Sequence, residues 1–171
     1  MIKVVSLLFI ALFFTNCSTK NLSPTNVSDY FWEAQQKTKL DDAKKFVREK
    51  DKKNIALQRN IKIKRFTFGE AVEEKNIATI PTKMYLQSII SKDEKDQIEV
   101  DFNTALEKTK DGWKVNLVKT KEALYLETAK KFSKGLGAEI LQKLQDKMGD
   151  FKKFQEVLIE MMDGMKKSLK K

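Results

Sequence analysis

Between Ile77 and Lys119 the apolar residues recur at every second position in three successive runs. Ala78, Ile80, Met84 and Leu86 share one parity; Ile98, Val100, Phe102, Thr104 and Leu106 share another; Trp113, Val115 and Leu117 repeat it with Lys114 and Asn116 between. A period of two puts one face of a strand on a core and the other in water. Such a block commits the chain to an antiparallel sheet, because Lys110-Asp111-Gly112 between the last two runs carries the Asp-Gly signal of a tight hairpin. Pro81 has no amide donor, so its run is expected to be an edge strand or to be bulged there.

Helical spacing flanks the sheet on both sides. Ser28-Asp29 reads as a helix start, with Tyr30, Phe31 and Ala34 as its apolar face. A second short helix follows from Lys39 through Leu40, Ala43, Phe46 and Val47, and the charged segment 48–54 reads as its end and a loop. Ile61, Ile63, Phe66 and Phe68 begin a first strand, Gly69 marks a bend, and Glu73 to Asn76 is a turn. Beyond Lys121, Leu124, Tyr125, Ala129 and Phe132 form a short amphipathic helix. The stretch from Ala138 to Leu169 then carries Leu141, Leu144, Met148, Phe151, Leu158, Met162, Met165 and Leu169 as one stripe. A continuous helix over that stretch would be about 48 Å long. The expected class is α+β: N-terminal helices on a curved antiparallel sheet, with a C-terminal amphipathic helical extension.

The N-terminus reads as an address. Lys3 precedes an apolar run from Val4 to Phe14, interrupted by Ser6, which is the pattern of a secretory signal. Eleven helical residues reach about 17 Å, too short for a hydrocarbon core of about 30 Å. The chain has one cysteine, Cys17, at the end of this signal, so no intramolecular disulfide is available. The segment Leu12-Phe13-Phe14-Thr15-Asn16-Cys17-Ser18 resembles the lipobox of bacterial lipoproteins. It differs from the usual pattern in Phe14, where an aliphatic residue is common, and Asn16, where a small one is. The resemblance implies cleavage before Cys17, a diacylglycerol on its sulfur and acylation of the new amine. Ser18 after the cysteine resembles an outer-membrane sorting choice. The segment from Ser18 to Ser28, polar and containing Pro24, reads as a tether. The expected divisions are a signal over 1–16, a lipidated tether over 17–28, an α+β domain over 29–120 and the helical extension over 121–171.

Residues 29–120 resemble the nuclear transport factor 2-like (cystatin-like) superfamily, in particular small bacterial lipoproteins described as lumazine-binding-like. The features that carry this are Phe31, Ala34, Leu40, Ala43, Phe46 and Val47 on two short helices, then Ile63-x-x-Phe66 with Gly69-Glu70-Ala71. Ala78-Thr79-Ile80 and the hairpin from Leu106 to Trp113-Lys114-Val115 complete them. The resemblance implies a cone with a concave pocket, to which Phe31, Tyr85, Phe102 and Trp113 are assigned as lining. No catalytic motif of that superfamily is matched.

Composition removes several chemistries. The chain of 171 residues has no histidine, the usual general base and transition-metal ligand. Asp41-Asp42 and Asp93-Glu94 are adjacent pairs, not a spaced ligand set. There is no glycine-rich phosphate loop and no nucleophile elbow. Net charge is +10, but the bases are nearly all lysine, with only Arg48, Arg59 and Arg65 offering the forked geometry that base and phosphate readout favours. A nucleic-acid partner, a metal and a cofactor are therefore not expected. The expectation is a non-catalytic envelope lipoprotein, anchored through Cys17 at the outer membrane and facing the periplasm, that binds a small apolar ligand or a protein. The alternative is an assembly lipoprotein that docks on an envelope complex, on a second copy or on lipid through Leu144, Met148, Phe151, Leu158, Met162 and Met165. Methionine suits an adaptable surface, and Lys130 to Lys171 holds eleven lysines against six acids.

Overall fold

The computed structural model describes residues 19–55, 62–87 and 97–132, and the isolated helical positions Asp146 and Glu156. The signal at 1–16, Cys17, Ile61 and the apolar stripe beyond Ala138 lie outside the described residues. In chain order the elements are a 3-10 turn Thr19–Asn21, α1 Pro24–Gln36, α2 Leu40–Lys44 and a 3-10 helix Glu49–Asn54. The strands β1 Ile63–Phe68, β2 Val72–Glu74, β3 Ile77–Gln87, β4 Gln97–Thr109 and β5 Gly112–Val115 follow, and α3 Leu117–Phe132 closes the order. The class is α+β, with the N-terminal helices on a curled antiparallel half-barrel sheet and α3 against β4. No helix among the described residues is long and apolar enough to cross a membrane.

The alternating runs form the centre of the sheet. The order is β1-β3-β4-β5, with β2 on the same side of β3 as β1. β3 and β4 pair over their length, from Ile77 opposite Glu107 to Gln87 opposite Gln97. Ala78, Ile80, Met84, Leu86, Val100, Phe102 and Leu106 are all buried, as the period of two requires. Pro81 lies in an interior strand, not at an edge. Its carbonyl accepts from the Gly69 N–H at 2.8 Å, so its nitrogen faces the same side. There β1 has ended at Phe68 and β2 starts only at Val72. The missing donor thus meets a break in the neighbouring strand. A Cβ on Gly69 would stand 3.1 Å from the Pro81 ring, which explains a glycine there.

Several local expectations are corrected. α1 starts at Pro24, not at Ser28-Asp29. Ser23 is its cap, with its hydroxyl accepting the Asn26 N–H at 3.2 Å, and Pro24 occupies the first turn, where no intrahelical donor is needed. Ser28 is fully buried inside the helix. The tether expected over 17–28 therefore does not extend through 24–28. Glu73 and Glu74 belong to β2, and the turn is Lys75-Asn76, with Lys75 at a φ of 52°. The charged segment 48–54 is not a solvated loop; it forms the second 3-10 helix and buries Arg48 and Asp51. Lys114 and Asn116, expected on the wet side of their strand, are buried, because β5 is covered on both faces. Val47 bridges to Val115 in parallel beyond it. The third strand stops at Val115, and Leu117 is the first residue of α3. Asn116 receives the Lys119 N–H on its side chain at 3.2 Å. The helix begins before Lys121, so the division at 120/121 falls inside one element whose Leu117, Leu124, Tyr125, Leu126 and Ala129 join the common core.

Candidate functional site: a polar cleft and a buried charge network

The concave face of the sheet is filled by α1. Trp32 meets Phe31 edge-on at 4.8 Å and Phe102 at 5.6 Å between ring centroids. Its indole N–H donates to Thr104 Oγ1 at 2.9 Å, and Thr104 and Thr82 share a hydroxyl contact of 2.7 Å. Thr82 in turn donates to the Ile80 carbonyl at 3.0 Å. All of these groups are buried. Of the four residues assigned to a pocket, Phe31 and Phe102 come together through Trp32. Trp113 is also buried, on β5, with Lys108 Nζ 5.6 Å from its ring centroid. Tyr85 has the opposite parity on β3 and lies under the Arg65 guanidinium, 3.6 Å from its ring centroid.

A cavity of about 540 Å³ opens elsewhere, between α3 and the middle of the sheet. Thr67, Lys83 and Asp101 stand opposite one another on β1, β3 and β4. With Asn103, Pro81 and the α3 residues Ala123 and Glu127 they line it. Phe68, Phe102 and Gly69 add apolar and backbone surface. Lys83 is held by Glu99 at 2.6 Å and Asp101 at 3.6 Å. The hydrogen bond to Glu99 raises the Lys83 ammonium above its ordinary value, and the same bond, with one from Tyr85, lowers the Glu99 carboxyl. The ammonium thus sits beside two carboxylates in a solvent-exposed cluster. The cleft presents a cation, carboxylates, an amide and a hydroxyl within one concavity. That set can hydrogen-bond a polar chain but has no nucleophile–base pair. Among the described residues no three His, Cys, Asp or Glu side chains stand close enough to hold a metal ion.

The second constellation was not visible in the sequence. Arg48 donates from Nε to Asp51 Oδ2 at 2.7 Å and from Nη1 to Glu107 Oε1 at 2.8 Å. Asp51 Oδ2 also accepts the Leu117 N–H at 3.0 Å, at the start of α3, and Asn116 Nδ2 donates to Glu107 Oε1 at 2.7 Å. Burial works against the Glu107 carboxylate, but the bond and charge of Arg48, with Asn116 and Lys50, outweigh it and hold the group below its ordinary range. Burial also lowers Lys114, whose ammonium donates to the Lys45 carbonyl at 2.7 Å. It lowers Lys121 to about 8, with that ammonium donating to the Asn54 carbonyl at 2.8 Å. One signal could have exposed this network. Arginine is rare here, and its fork suits two carboxylates better than lysine does. The cleft residues carry no such signal, since they occupy ordinary polar positions of their strands.

Cys17 and the face formed by Leu144, Met148, Phe151, Leu158, Met162 and Met165 lie outside the described residues. No protein-family model, no curated protein and no solved structure matches the chain.

Proposed function

We propose that this chain is a non-catalytic lipoprotein of the bacterial cell envelope, held at the membrane through acylated Cys17, whose α+β domain receives a polar segment of a partner protein. The observation that carries the binding reading is the cleft between α3 and the sheet, with Lys83, Asp101, Asn103 and Thr67 on its floor. The filled concave face favours this over a small apolar ligand, because Phe31, Trp32 and Phe102 occupy the space such a ligand would need. N-terminal helices on a curled antiparallel sheet support the nuclear transport factor 2-like reading. The N-terminal signal ending on Cys17 supports the anchor, since a second acyl chain converts marginal membrane binding into stable retention.

Both halves can be tested in cells. Cys17→Ser should move the protein from the membrane pellet, or leave an uncut precursor without acyl mass. A photo-crosslinking residue at Asn103 should trap one envelope protein, whereas the same residue at Lys37, on the exposed end of α1, should not. Wild-type retention and mass in Cys17→Ser would end the anchoring reading. Identical adducts from both crosslinking positions, or none from Asn103, would end the cleft reading.

A further inference from the structure

Charge is unevenly distributed across the sheet. Residues 39–54 and 114–121 carry ten basic side chains against four acidic ones, whereas the segment 62–87, from β1 through β3, carries five against three. The fold brings the two basic segments together. Val47 bridges to Val115, Lys114 reaches the Lys45 carbonyl, Lys121 reaches the Asn54 carbonyl, and Asp51 holds the first N–H of α3. The acids offset only part of this excess. Asp41, Asp42 and Glu49 are paired with Lys44, Lys45 and Lys52, Asp51 lies under Arg48, and Glu107 of β4 is taken by Arg48 and Asn116. Lys50, Lys53 and Lys119 are exposed as well.

The same region lies next to the point where the chain enters the domain. The 3-10 turn Thr19–Asn21 sits against β5, and Leu22 already packs on the core. Four residues separate Leu22 from Cys17, and the five steps between them span at most about 18 Å when fully extended. A domain anchored at Cys17 therefore has Leu22 within about 18 Å of its lipidated residue. The side that carries β5 and the second 3-10 helix is then the one nearest the lipid. Juxtamembrane lysine clusters are drawn to anionic headgroups within about a Debye length of roughly 8 Å at physiological salt.

We infer that the face formed by Lys50, Lys53 and Lys119 seats the domain on anionic phospholipid headgroups beside its own anchor. This orientation turns the β1 edge of the sheet away from the membrane. It rests on the anchoring reading above, and the test separates the two. The full mature chain is purified, its intact mass is read for acyl groups, and it is placed on vesicles of phosphatidylcholine alone or with phosphatidylglycerol. An amine-reactive reagent then reports each lysine by mass spectrometry. Labelling of Lys50, Lys53 and Lys119 should fall several-fold on phosphatidylglycerol vesicles and recover in half-molar salt. Lys62, just before β1 at the far edge, should label equally on both. Equal labelling of the basic face on the two vesicle types, or protection that salt does not reverse, would overturn the inference. An intact mass without acyl groups would instead end the anchoring reading, and the footprint of that unacylated protein added to the vesicles would still decide the lipid face.

Discussion

Trp32 sends its indole proton into a run of hydroxyls that ends on a strand carbonyl. Thr82 donates to Ile80, so the proton shared by the two threonines belongs to Thr104, which is then free to accept from Trp32. Each donor is used once and each group is buried, which is what an interior polar chain requires. In Thr104→Val the indole N–H loses its acceptor without access to water. The expected cost is about 1–3 kcal/mol in equilibrium urea unfolding, the range for a buried donor left unsatisfied. Pairing it with Trp32→Phe should recover part of that cost, since the orphaned donor is then gone. A single variant within about 0.5 kcal/mol of wild type would show the run to be dispensable. Thr104 was legible as a core-facing position from its parity. Its partner was not, because 72 residues of chain separate it from Trp32.

At the scale of elements, the second 3-10 helix joins parts that sequence spacing keeps separate. Asp51 holds Arg48 and the first N–H of α3, and Arg48 reaches across to Glu107 on β4. A carboxylate at a helix N-terminus is favoured by the exposed amides there and by the helix dipole. The Glu107 part of this network is sensitive to acid. Its folded value is lowered, so its stabilising contribution is complete above the ordinary glutamate value of about 4.3 and is lost as pH falls through the lower folded value. The difference in unfolding free energy between wild type and Glu107→Gln should therefore shrink steadily from about pH 5 to about pH 3. A difference that stays constant across that window would mean that the carboxylate charge is not what Arg48 reads. The helices and strands were largely legible, since their faces follow periods of 3.6 and 2. Their ends shifted where a proline, a serine cap or a distant carboxylate took over, as at Pro24 and Leu117.

The whole molecule depends on α3 more than its position after the sheet suggests. Leu117, Leu124, Tyr125, Leu126 and Ala129 are buried in the same cluster as Phe31 and Met84. Each buried leucine contributes roughly 1.5–3 kcal/mol, so losing Leu117, Leu124 and Leu126 together approaches the total stability of a typical domain, about 5–15 kcal/mol. A chain ending at Asn116 should accordingly show no cooperative melt by circular dichroism. A sharp transition near that of the full chain would show that the helix is an accessory. The cleft follows from the same packing, because its far wall is Ala123 and Glu127.

The alternation from Ile77 to Leu117, the Asp-Gly turn and the helical faces around them were enough to set the α+β class and to say which side of each central strand faces inward. Those are local consequences of hydrophobic period and backbone geometry, which every residue carries with it. Tertiary structure alone decided that Arg48, Asp51, Glu107 and Asn116 converge, that Lys114 is buried, and that Thr67, Lys83, Asp101 and Glu127 share one cleft. Polar side chains at these positions look the same in sequence whether they meet water or one another. Only the arrangement of distant segments determines how much solvent each one loses.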